Sequence, residues 1–370
     1  MSADNQAAKD IETVLVVGAG IMGHGFAQLL AMNELTVILV DQSDEILDRA
    51  RGWIQDNLDY MIELDELTAP EKAAALSRIT FSTDLSGNLA AADYVLEAVS
   101  ENFELKRSIW QILGQEAKPV AILASNTSSY DINELAAGVP GPERIIGTHW
   151  FHPPQITPCV EVIPGNGASQ TNVDLITAFL MSLGKMPTLC KSAPGFVANR
   201  IQFALAAEAI ALVEEGLATP EEVDRVVKSS FGFRLGAYGP FEIMDQAGAD
   251  TYLGVYRYLA EKLGKACFKP PQLLKKQVEA GRLGLKTSSG FYDYGPGAAD
   301  AMRRDRDRKF YARLKLVRQE WEQEDRCQRT DDRGQRTDVR GQRTDVRGQR
   351  TEDRCQRTDV RGQMSVVSEQ

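Results

Sequence analysis

Two residues, His149 and Glu161, have the chemistry and spacing to transfer a proton together. His149 follows the short apolar run Arg144–Thr148, Glu161 lies inside a second run, Cys159–Ile163, and a loop with three prolines joins the runs. Runs of that length bounded by proline are typical of strands with an irregular connection. We therefore expect the chain to return and bring the two side chains together. A carboxylate on one imidazole nitrogen fixes the tautomer and leaves the other nitrogen as a general base near neutral pH.

Glu161 also has a simpler interpretation. Side chains alternate along a strand, so Glu161 shares a face with Cys159 and Ile163, where an unpaired charge is unfavourable. An isolated Glu in such a run is more often a solvated carboxylate on an edge strand. A histidine 12 positions upstream favours the paired arrangement, and we take His149 and Glu161 as the chemical centre.

A second group of residues, near the start of the chain, predicts a dinucleotide site. An apolar run leads through Gly18, Gly20 and Gly23 into a helix-like stretch, and a second apolar run ends at Asp41. The three glycines alone match many tight turns by chance, but the order strand, glycine turn, helix, strand, acid is that of a Rossmann-type fold. Asp41 would accept hydrogen bonds from a ribose and repel a 2′-phosphate, so NAD rather than NADP is expected. The residues expected against the cofactor are Gly18, Gly20, Ile21, Met22 and Gly23.

A polar loop, Ser125-Asn-Thr-Ser-Ser129, follows the apolar run 120–124. Hydroxyl and amide groups just past the carboxyl end of a strand lie where open α/β sheets bind ligands. The same residues also suit a capping box for the next helix. The two interpretations are compatible, and both remain open.

The order of elements predicts an α/β fold in which a Rossmann-type dinucleotide-binding domain precedes an all-α helical domain and a disordered repeat tail. After Pro194-Gly195 only helical patterns follow, because the apolar spacing changes from the period of strands to that of helices. The predicted helices lie at about 197–216, 220–229, 240–263 and 271–281. The predicted domains are 1–191 for NAD binding, 192–298 for substrate binding and dimerisation, and 299–370 for a charged helix and the tail.

The composition excludes several classes of protein. The 370 residues carry a net charge of −10, which argues against a nucleic-acid-binding surface, and no apolar run approaches the length of a membrane span. The first ten residues lack the features of a signal peptide, so a cytoplasmic protein is expected. The five scattered cysteines fit reduced thiols and no metal site.

The tail contains a tandem repeat of seven residues, with typical copies reading GQRTDVR between 327 and 361. A heptad invites a coiled-coil interpretation, but each unit offers at most one valine, so no apolar seam exists. Low hydrophobicity with mixed charge predicts disorder instead. We expect no catalytic role for this segment.

Residues 13–294 resemble the L-3-hydroxyacyl-CoA dehydrogenase family in motifs and in their order. Beyond the glycine loop, the matching motifs are Leu96-Glu-Ala-Val99, Ser125–Ser129, Gly147-Thr-His-Trp-Phe151, Val160-Glu-Val162, Pro194–Arg200 and Gly284-Leu-Lys-Thr287.

The resemblance assigns roles to individual residues. It implies that His149 and Glu161 are the catalytic pair and that Ser128 and Asn199 lie beside the reacting oxygens of the substrate. It also implies NAD as the cofactor and a homodimer formed through the helical domain. The positions that contact NAD in the family correspond to Asp41, Glu101, Lys106, Ser128 and Lys286.

Two positions depart from the family pattern. The family usually has Asn three residues after the catalytic His, near the nicotinamide; here His152 takes that place and can charge. Members that act on acyl-CoA usually carry lysines on the helices after Asp41, whereas Gly52–Glu71 contains six acids and no base. A row of acids is most often a solvated face.

The reaction implied is NAD-dependent oxidation of a short-chain L-3-hydroxyacyl-CoA to the 3-oxoacyl-CoA. The alternative is an NAD-dependent dehydrogenase that acts on a small hydroxy acid or alcohol without CoA. A more remote possibility is a non-catalytic dinucleotide-binding protein, whose signature would be loss of His149 or Glu161. Both residues are present.

Overall fold

The chain forms two compact units that divide between Ala211 and Leu212. The structure, a computed structural model, describes residues 11–338, with side chains as far as Gln319 and at Trp321. We call residues 11–211 the sheet unit and residues 212–338 the helical unit. Among the described residues, no helix is both long and apolar enough to span a membrane.

The sheet unit is built on eight strands in the order β3-β2-β1-β4-β5-β6-β7-β8. All neighbouring pairs are parallel except β6 and β7. The Rossmann-type architecture predicted from the sequence is thus confirmed. The strands are β1 Thr13–Val17, β2 Thr36–Val40, β3 Ile79–Ser82, β4 Tyr94–Glu97, β5 Ile122–Ser125, β6 Ile145–Trp150, β7 Cys159–Pro164 and β8 Met186–Leu189.

Seven helices accompany the sheet and cover both of its faces. Val14 and Val16 of β1 pack into one apolar cluster while Leu15 and Val17 pack into another, all of them buried. Each fully buried aliphatic side chain contributes about 1.5–3 kcal/mol to the core. The helices are α1 Gly23–Met32, α2 Asp44–Glu63, α3 Ala69–Ser77, α4 Leu85–Leu89, α5 Phe103–Glu116, α6 Ile132–Leu135 and α7 Gln170–Ser182.

Two glycines allow β1 to turn directly into α1. Gly18 has φ +101°, which L side chains rarely adopt, and a β-carbon there would lie 2.7 Å from the carbonyl oxygen of Ala98. A β-carbon on Gly23 would collide with the Gly18 carbonyl at 1.7 Å. Helix and strand therefore approach each other more closely than any other residue type permits.

The predicted helical pair after Asp41 is confirmed as α2 and α3. Thr68 caps α3 in a reciprocal capping box with Glu71, and Pro70 occupies the first turn. Both features favour the start of a helix at Ala69, as expected for these residue types.

The remaining helices are α8 Ala198–Glu214, α9 Pro220–Ser229, α10 Phe231–Leu235, α11 Pro240–Ala247, α12 Ala249–Leu263, α13 Gln272–Glu279 and α14 Ala298–Asp338. The sequence predicts one helix over 240–263, which is wrong because Gly248, at φ +103°, ends α11. The buried apolar core of the helical unit is small and centres on Ala249, Leu253 and Leu274.

Helix α14 packs on the helical unit at the residues that follow its first two turns. The hydroxyl of Tyr238 donates to Asp305 at 2.7 Å, and the ring of Phe310 contacts those of Phe233 and Tyr238. Nε of Arg313 donates to the carbonyl of Phe233 at 3.1 Å. The start of α14 is therefore held in place by tertiary contacts.

The same helix continues to Asp338, into the segment from 327 that we predict to be disordered. Its residues are mostly good helix formers, and extending an existing helix costs little once its first turns are fixed. The rest of the predicted disordered tail, 339–370, lies outside the described residues.

Candidate active site

His149 and Glu161 lie directly opposite each other on β6 and β7. The antiparallel register pairs them, and Nδ1 of His149 lies 2.7 Å from Oε2 of Glu161. Both residues are buried, at 4% and 2% exposure. The predicted return of the chain is confirmed. Within the described residues, Nε2 of His149 has no hydrogen-bond partner.

The second carboxylate oxygen of Glu161 is held by the segment that begins α8. Backbone N–H groups of Val197 and Ala198 donate to Oε1 at 3.0 and 2.9 Å, and the thiol of Cys190 lies 3.9 Å away. Burial raises the pKa of Glu161, but the hydrogen bonds from His149, Ala198 and Val197 outweigh it and the pKa is lowered. The carboxylate is therefore stabilised in its charged form.

Aromatic rings pack against the imidazole. The ring centroid of His149 lies 4.6 Å from that of Phe151 and 5.7 Å from that of Phe196. Phe196 adopts φ +47°, an unusual conformation for a bulky residue that costs free energy. These contacts restrict the rotation of the imidazole.

Ser128 and Asn199, predicted to lie beside the reacting oxygens, are brought together. The amide nitrogen of Asn199 donates to the backbone carbonyl of Ser128 at 2.9 Å. The neighbouring Asn126 accepts a hydrogen bond from the backbone of Trp150 at 2.9 Å. This bond ties the polar loop after β5 to the strand that carries His149.

The predicted dinucleotide loop combines exposed backbone with free space. Met22, the N-cap residue of α1, makes no side-chain capping hydrogen bond, Ile21 is 64% exposed, and no atom lies within 4 Å of where a β-carbon on Gly20 would be. Asp41 accepts backbone N–H groups of Ala19 and Gln42, each at 2.7 Å. An uncapped helix start with room beside it fits a pyrophosphate, and a partly exposed carboxylate fits a ribose.

A buried charge cluster lies beyond the loop. Lys106 is 1% exposed, and its ammonium contacts Glu97 at 2.8 Å, Glu101 at 3.2 Å and the carbonyl of Val99 at 3.2 Å. Burial raises the pKa of Glu101, but hydrogen bonds from Thr127 and its neighbours and the charge of Lys106 outweigh it, so the pKa is lowered. Lys106 thus holds Glu101 through an ion pair. The expected contact of each residue with NAD stays a prediction.

Two further expected cofactor residues have different surroundings. His152 is exposed. Burial lowers the pKa of His24, and the proximity of His152 lowers it further. Lys286, in the helical unit, forms an ion pair with Asp250.

Sequence reasoning missed Glu97 and Cys190. Glu97 is fully buried in β4 and accepts hydrogen bonds from Ser125 at 2.7 Å and Trp110 at 3.3 Å. A charge inside an apolar strand was the available signal, the same one that identified Glu161. Cys190 carried no such signal; burial raises the pKa of its thiol to about 11. Within the described part of the chain, no three His, Cys, Asp or Glu side chains could hold a metal ion.

Known proteins match this chain over both units. The NAD binding domain of 3-hydroxyacyl-CoA dehydrogenase matches residues 13–193, and the C-terminal domain of that family matches residues 195–294.

Individual relatives match over nearly their whole length. A probable 3-hydroxybutyryl-CoA dehydrogenase of Deinococcus radiodurans is 41% identical over 280 residues, 75% of this chain and 99% of the relative. A 5-formyl-3-hydroxy-2-methylpyridine 4-carboxylate 5-dehydrogenase of Mesorhizobium japonicum is 33% identical over 308 residues, 83% of this chain and 98% of the relative.

A solved structure of a 3-hydroxyacyl-CoA dehydrogenase also resembles this chain. The 3-hydroxyacyl-CoA dehydrogenase of Archaeoglobus fulgidus is 31% identical with a TM-score of 0.69, and the match covers 83% of this chain and 99% of that one. The predicted family and its NAD cofactor are confirmed. The chain belongs to the NAD-dependent 3-hydroxyacyl-CoA dehydrogenase family.

Proposed function

We propose that the protein oxidises a short-chain L-3-hydroxyacyl-CoA to the 3-oxoacyl-CoA. The observation that carries the proposal is the buried contact between His149 and Glu161 at the carboxyl end of a dinucleotide-binding sheet. Bound NAD supplies the hydride acceptor.

His149 acts as the general base. Nδ1–H of His149 donates a hydrogen bond to Glu161, so Nε2 carries the lone pair and takes the proton of the substrate hydroxyl as the carbon is oxidised. The negative charge of Glu161 stabilises the imidazolium that forms. A carboxylate whose pKa is lowered keeps that charge throughout the physiological range.

Ser128 and Asn199 bind the oxygen at the reacting carbon. The bond from Asn199 to the Ser128 carbonyl uses one of the two amide N–H groups and leaves the second, with the serine hydroxyl, for the substrate. These donors orient the hydroxyl toward His149, and such alignment contributes much of the rate.

The cofactor is bound along the edge of the sheet unit. Backbone groups of Gly18–Gly23 hold the pyrophosphate and Asp41 holds the adenosine ribose. Ser128 and His152 border the nicotinamide half of the cofactor, together with Glu101, which forms an ion pair with Lys106. We place the domain boundary of the functional protein at 191/192, with the helical domain extending to 298.

We propose a homodimer formed through the helical domain. Helix α8 has no buried residue, and its large apolar side chains Ile201, Phe203 and Ile210 are 60–67% exposed. So many large apolar side chains on one helix are unfavourable in water unless another surface covers them. A second copy of the same helix would do so.

A second candidate function is oxidation of a small acid without CoA. The segment 52–71, which covers parts of α2 and α3 and their connection, contains six acids and no base. Lys72, the next cation, is paired with Asp59 at 2.5 Å. The pyridine carboxylate dehydrogenase, whose name specifies a substrate without CoA, is 33% identical to this chain.

One substrate comparison separates the two candidates. We would measure NADH formation with 3-hydroxybutyryl-CoA, its pantetheine thioester and free 3-hydroxybutyrate. If CoA is recognised, the pantetheine thioester has a higher KM, and added salt weakens the full substrate more than the truncated one. If both thioesters are inactive and a free acid turns over, the acyl-CoA assignment is wrong.

A further inference from the structure

A cavity of about 220 Å³ lies in the helical unit, between the start of α14 and the turn at residues 285–287. Its wall contains the nitrogen-bearing side chains Gln246, Lys286, Arg303 and Arg306 and the apolar side chains Leu285 and Met302. None of the residues that line it is acidic. The cavity thus presents donors and apolar surface but no carboxylate.

One of these donors lacks an acceptor. The amide nitrogen of Gln246 is buried and has no hydrogen-bond partner among the described residues. A buried donor without a partner is unfavourable, and a native structure usually satisfies it with a ligand or ordered water. Gln246 also lines the cavity, so its unpaired amide group adjoins the space in which an acceptor would bind.

The two arginines, Arg303 and Arg306, have N–H groups that no protein acceptor in the described part of the chain uses. Nη1 of Arg303 lies 3.3 Å from Asp300, and Arg306 gives two N–H groups to Asp307. A guanidinium has five N–H groups, so one carboxylate leaves most N–H groups of each arginine without a protein acceptor among the described residues. Asp300 and Asp307 do not line the cavity.

The geometry of α14 fixes the two arginines on one side. Met302, Arg303 and Arg306 recur at the spacing of one helical face, and the bond between Tyr238 and Asp305 anchors the same turns. Two planar guanidinium groups on a fixed helix suit a tetrahedral oxyanion, which they can bind through paired hydrogen bonds.

We propose that this cavity binds the phosphate group of an organic phosphate, with the organic part on Leu285 and Met302. The proposal does not rest on the proposed reaction. Arg303 and Arg306 lie beyond residue 294, where the match to the family's C-terminal domain ends. The site is therefore a feature of the α14 segment.

The test uses the full chain with saturating NADH, so that pyrophosphate cannot enter the dinucleotide loop. We would measure pyrophosphate binding by calorimetry for the native protein, for the double variant Arg303→Ala/Arg306→Ala and for Arg304→Ala. Arg304 is the control because it lies between the two arginines in the sequence and does not line the cavity. Buffers are matched in ionic strength with sodium chloride.

We expect the double variant to bind at least about tenfold more weakly, the scale of losing a charge-assisted hydrogen bond, and Arg304→Ala to bind normally. Equal binding by all three proteins, or no binding in the presence of NADH, would overturn the proposal. If the double variant melts early, Gln246→Leu provides a second test, because it removes the buried donor without changing α14.

A parallel measurement distinguishes the sources of the phosphate. Adenosine 3′,5′-bisphosphate, which is the nucleotide end of CoA, binding more tightly than pyrophosphate would support a nucleotide ligand. Equal affinities would contradict the placement of the organic part on Leu285 and Met302. Preference for acetate over both would contradict a phosphate site.

Discussion

Oε1 of Glu161 accepts the backbone N–H of Ala198 at 2.9 Å, which joins the buried carboxylate to the first turn of α8. The other oxygen meets His149, so one carboxylate connects β6, β7 and the start of that helix. The N-terminal end of a helix carries partial positive charge. The arrangement therefore keeps Glu161 ionised and restricts the tautomer of His149.

We predict that His149→Ala lowers kcat by about 10² or more, the usual scale for losing a general base, while NAD binds nearly as before. Glu161→Gln should also lower kcat, because its amide N–H toward Nδ1 would force the proton onto Nε2, where the lone pair is needed. Kinetics and NADH titration check both variants.

The double variant tests whether the pair acts as a unit. We expect His149→Ala/Glu161→Gln to lose less activity than the product of the two single losses, since either change alone disables the base. Losses that multiply would show independent roles.

A second prediction concerns stability at acid pH. The pKa of Glu161 is lower in the folded protein than its ordinary value, so its charged form stabilises the fold above the ordinary value of about 4.3 and this contribution disappears as pH falls through the folded pKa. Denaturant unfolding of the native protein and of Glu161→Gln would be compared from about pH 7 to pH 3.

The free energy of unfolding of the native protein should exceed that of Glu161→Gln by a constant amount at neutral pH. The difference should shrink below the ordinary pKa. A difference that disappears between about pH 7 and 5 would require a raised pKa and contradict the geometry.

Much of this site follows from the sequence because its determinants are local. The positions of His149 and Glu161 in two short runs around a proline loop suffice to predict their pairing. The glycine loop and Asp41 likewise lie within one strand–helix–strand unit.

Other features depend on contacts that no local pattern reveals. Lys106 forms ion pairs with both Glu97 and Glu101 because tertiary packing buries α5 against β4. Cys190 approaches Glu161 only because β8 pairs with β7. Composition alone could not predict that α14 continues past residue 327, since these turns extend a helix that is anchored by Asp305 and Phe310.

The third prediction is a strong preference for NAD. Asp41 should repel the 2′-phosphate of NADP, and kcat/KM should favour NAD by at least about tenfold, or 1.4 kcal/mol. Asp41→Asn should reduce the ratio, because it removes the charge and keeps an acceptor oxygen for Ala19. Asp44→Asn is the matched control, since Asp44 is exposed in the first turn of α2. Equal kcat/KM values in the native protein would mean that Asp41 does not face the ribose.

The fourth prediction separates the anchored start of α14 from its remainder. Stopping the chain after Glu324 should leave activity and melting temperature unchanged, because the contacts of Asp305, Phe310 and Arg313 remain. Phe310→Ala should destabilise the protein by about 1–3 kcal/mol, whereas Tyr311→Ala, at a position 69% exposed, should not. A lower melting temperature in the truncated protein would show that the later residues pack on the body.

The last prediction concerns two acids, Asp65 and Glu66, in the connection between α2 and α3. If the protein binds acyl-CoA there, as its family resemblance implies, Asp65→Asn/Glu66→Gln should lower KM for 3-hydroxybutyryl-CoA and leave KM for the pantetheine thioester unchanged, because only CoA carries phosphates to be repelled. Asn suits position 65, where φ is +59°. Glu116→Gln/Asp174→Asn removes two exposed charges elsewhere and controls for net charge. The gain should fade at high salt, since exposed charges are screened within about 8–10 Å. An equal change for both thioesters would show that the acids do not face the phosphates.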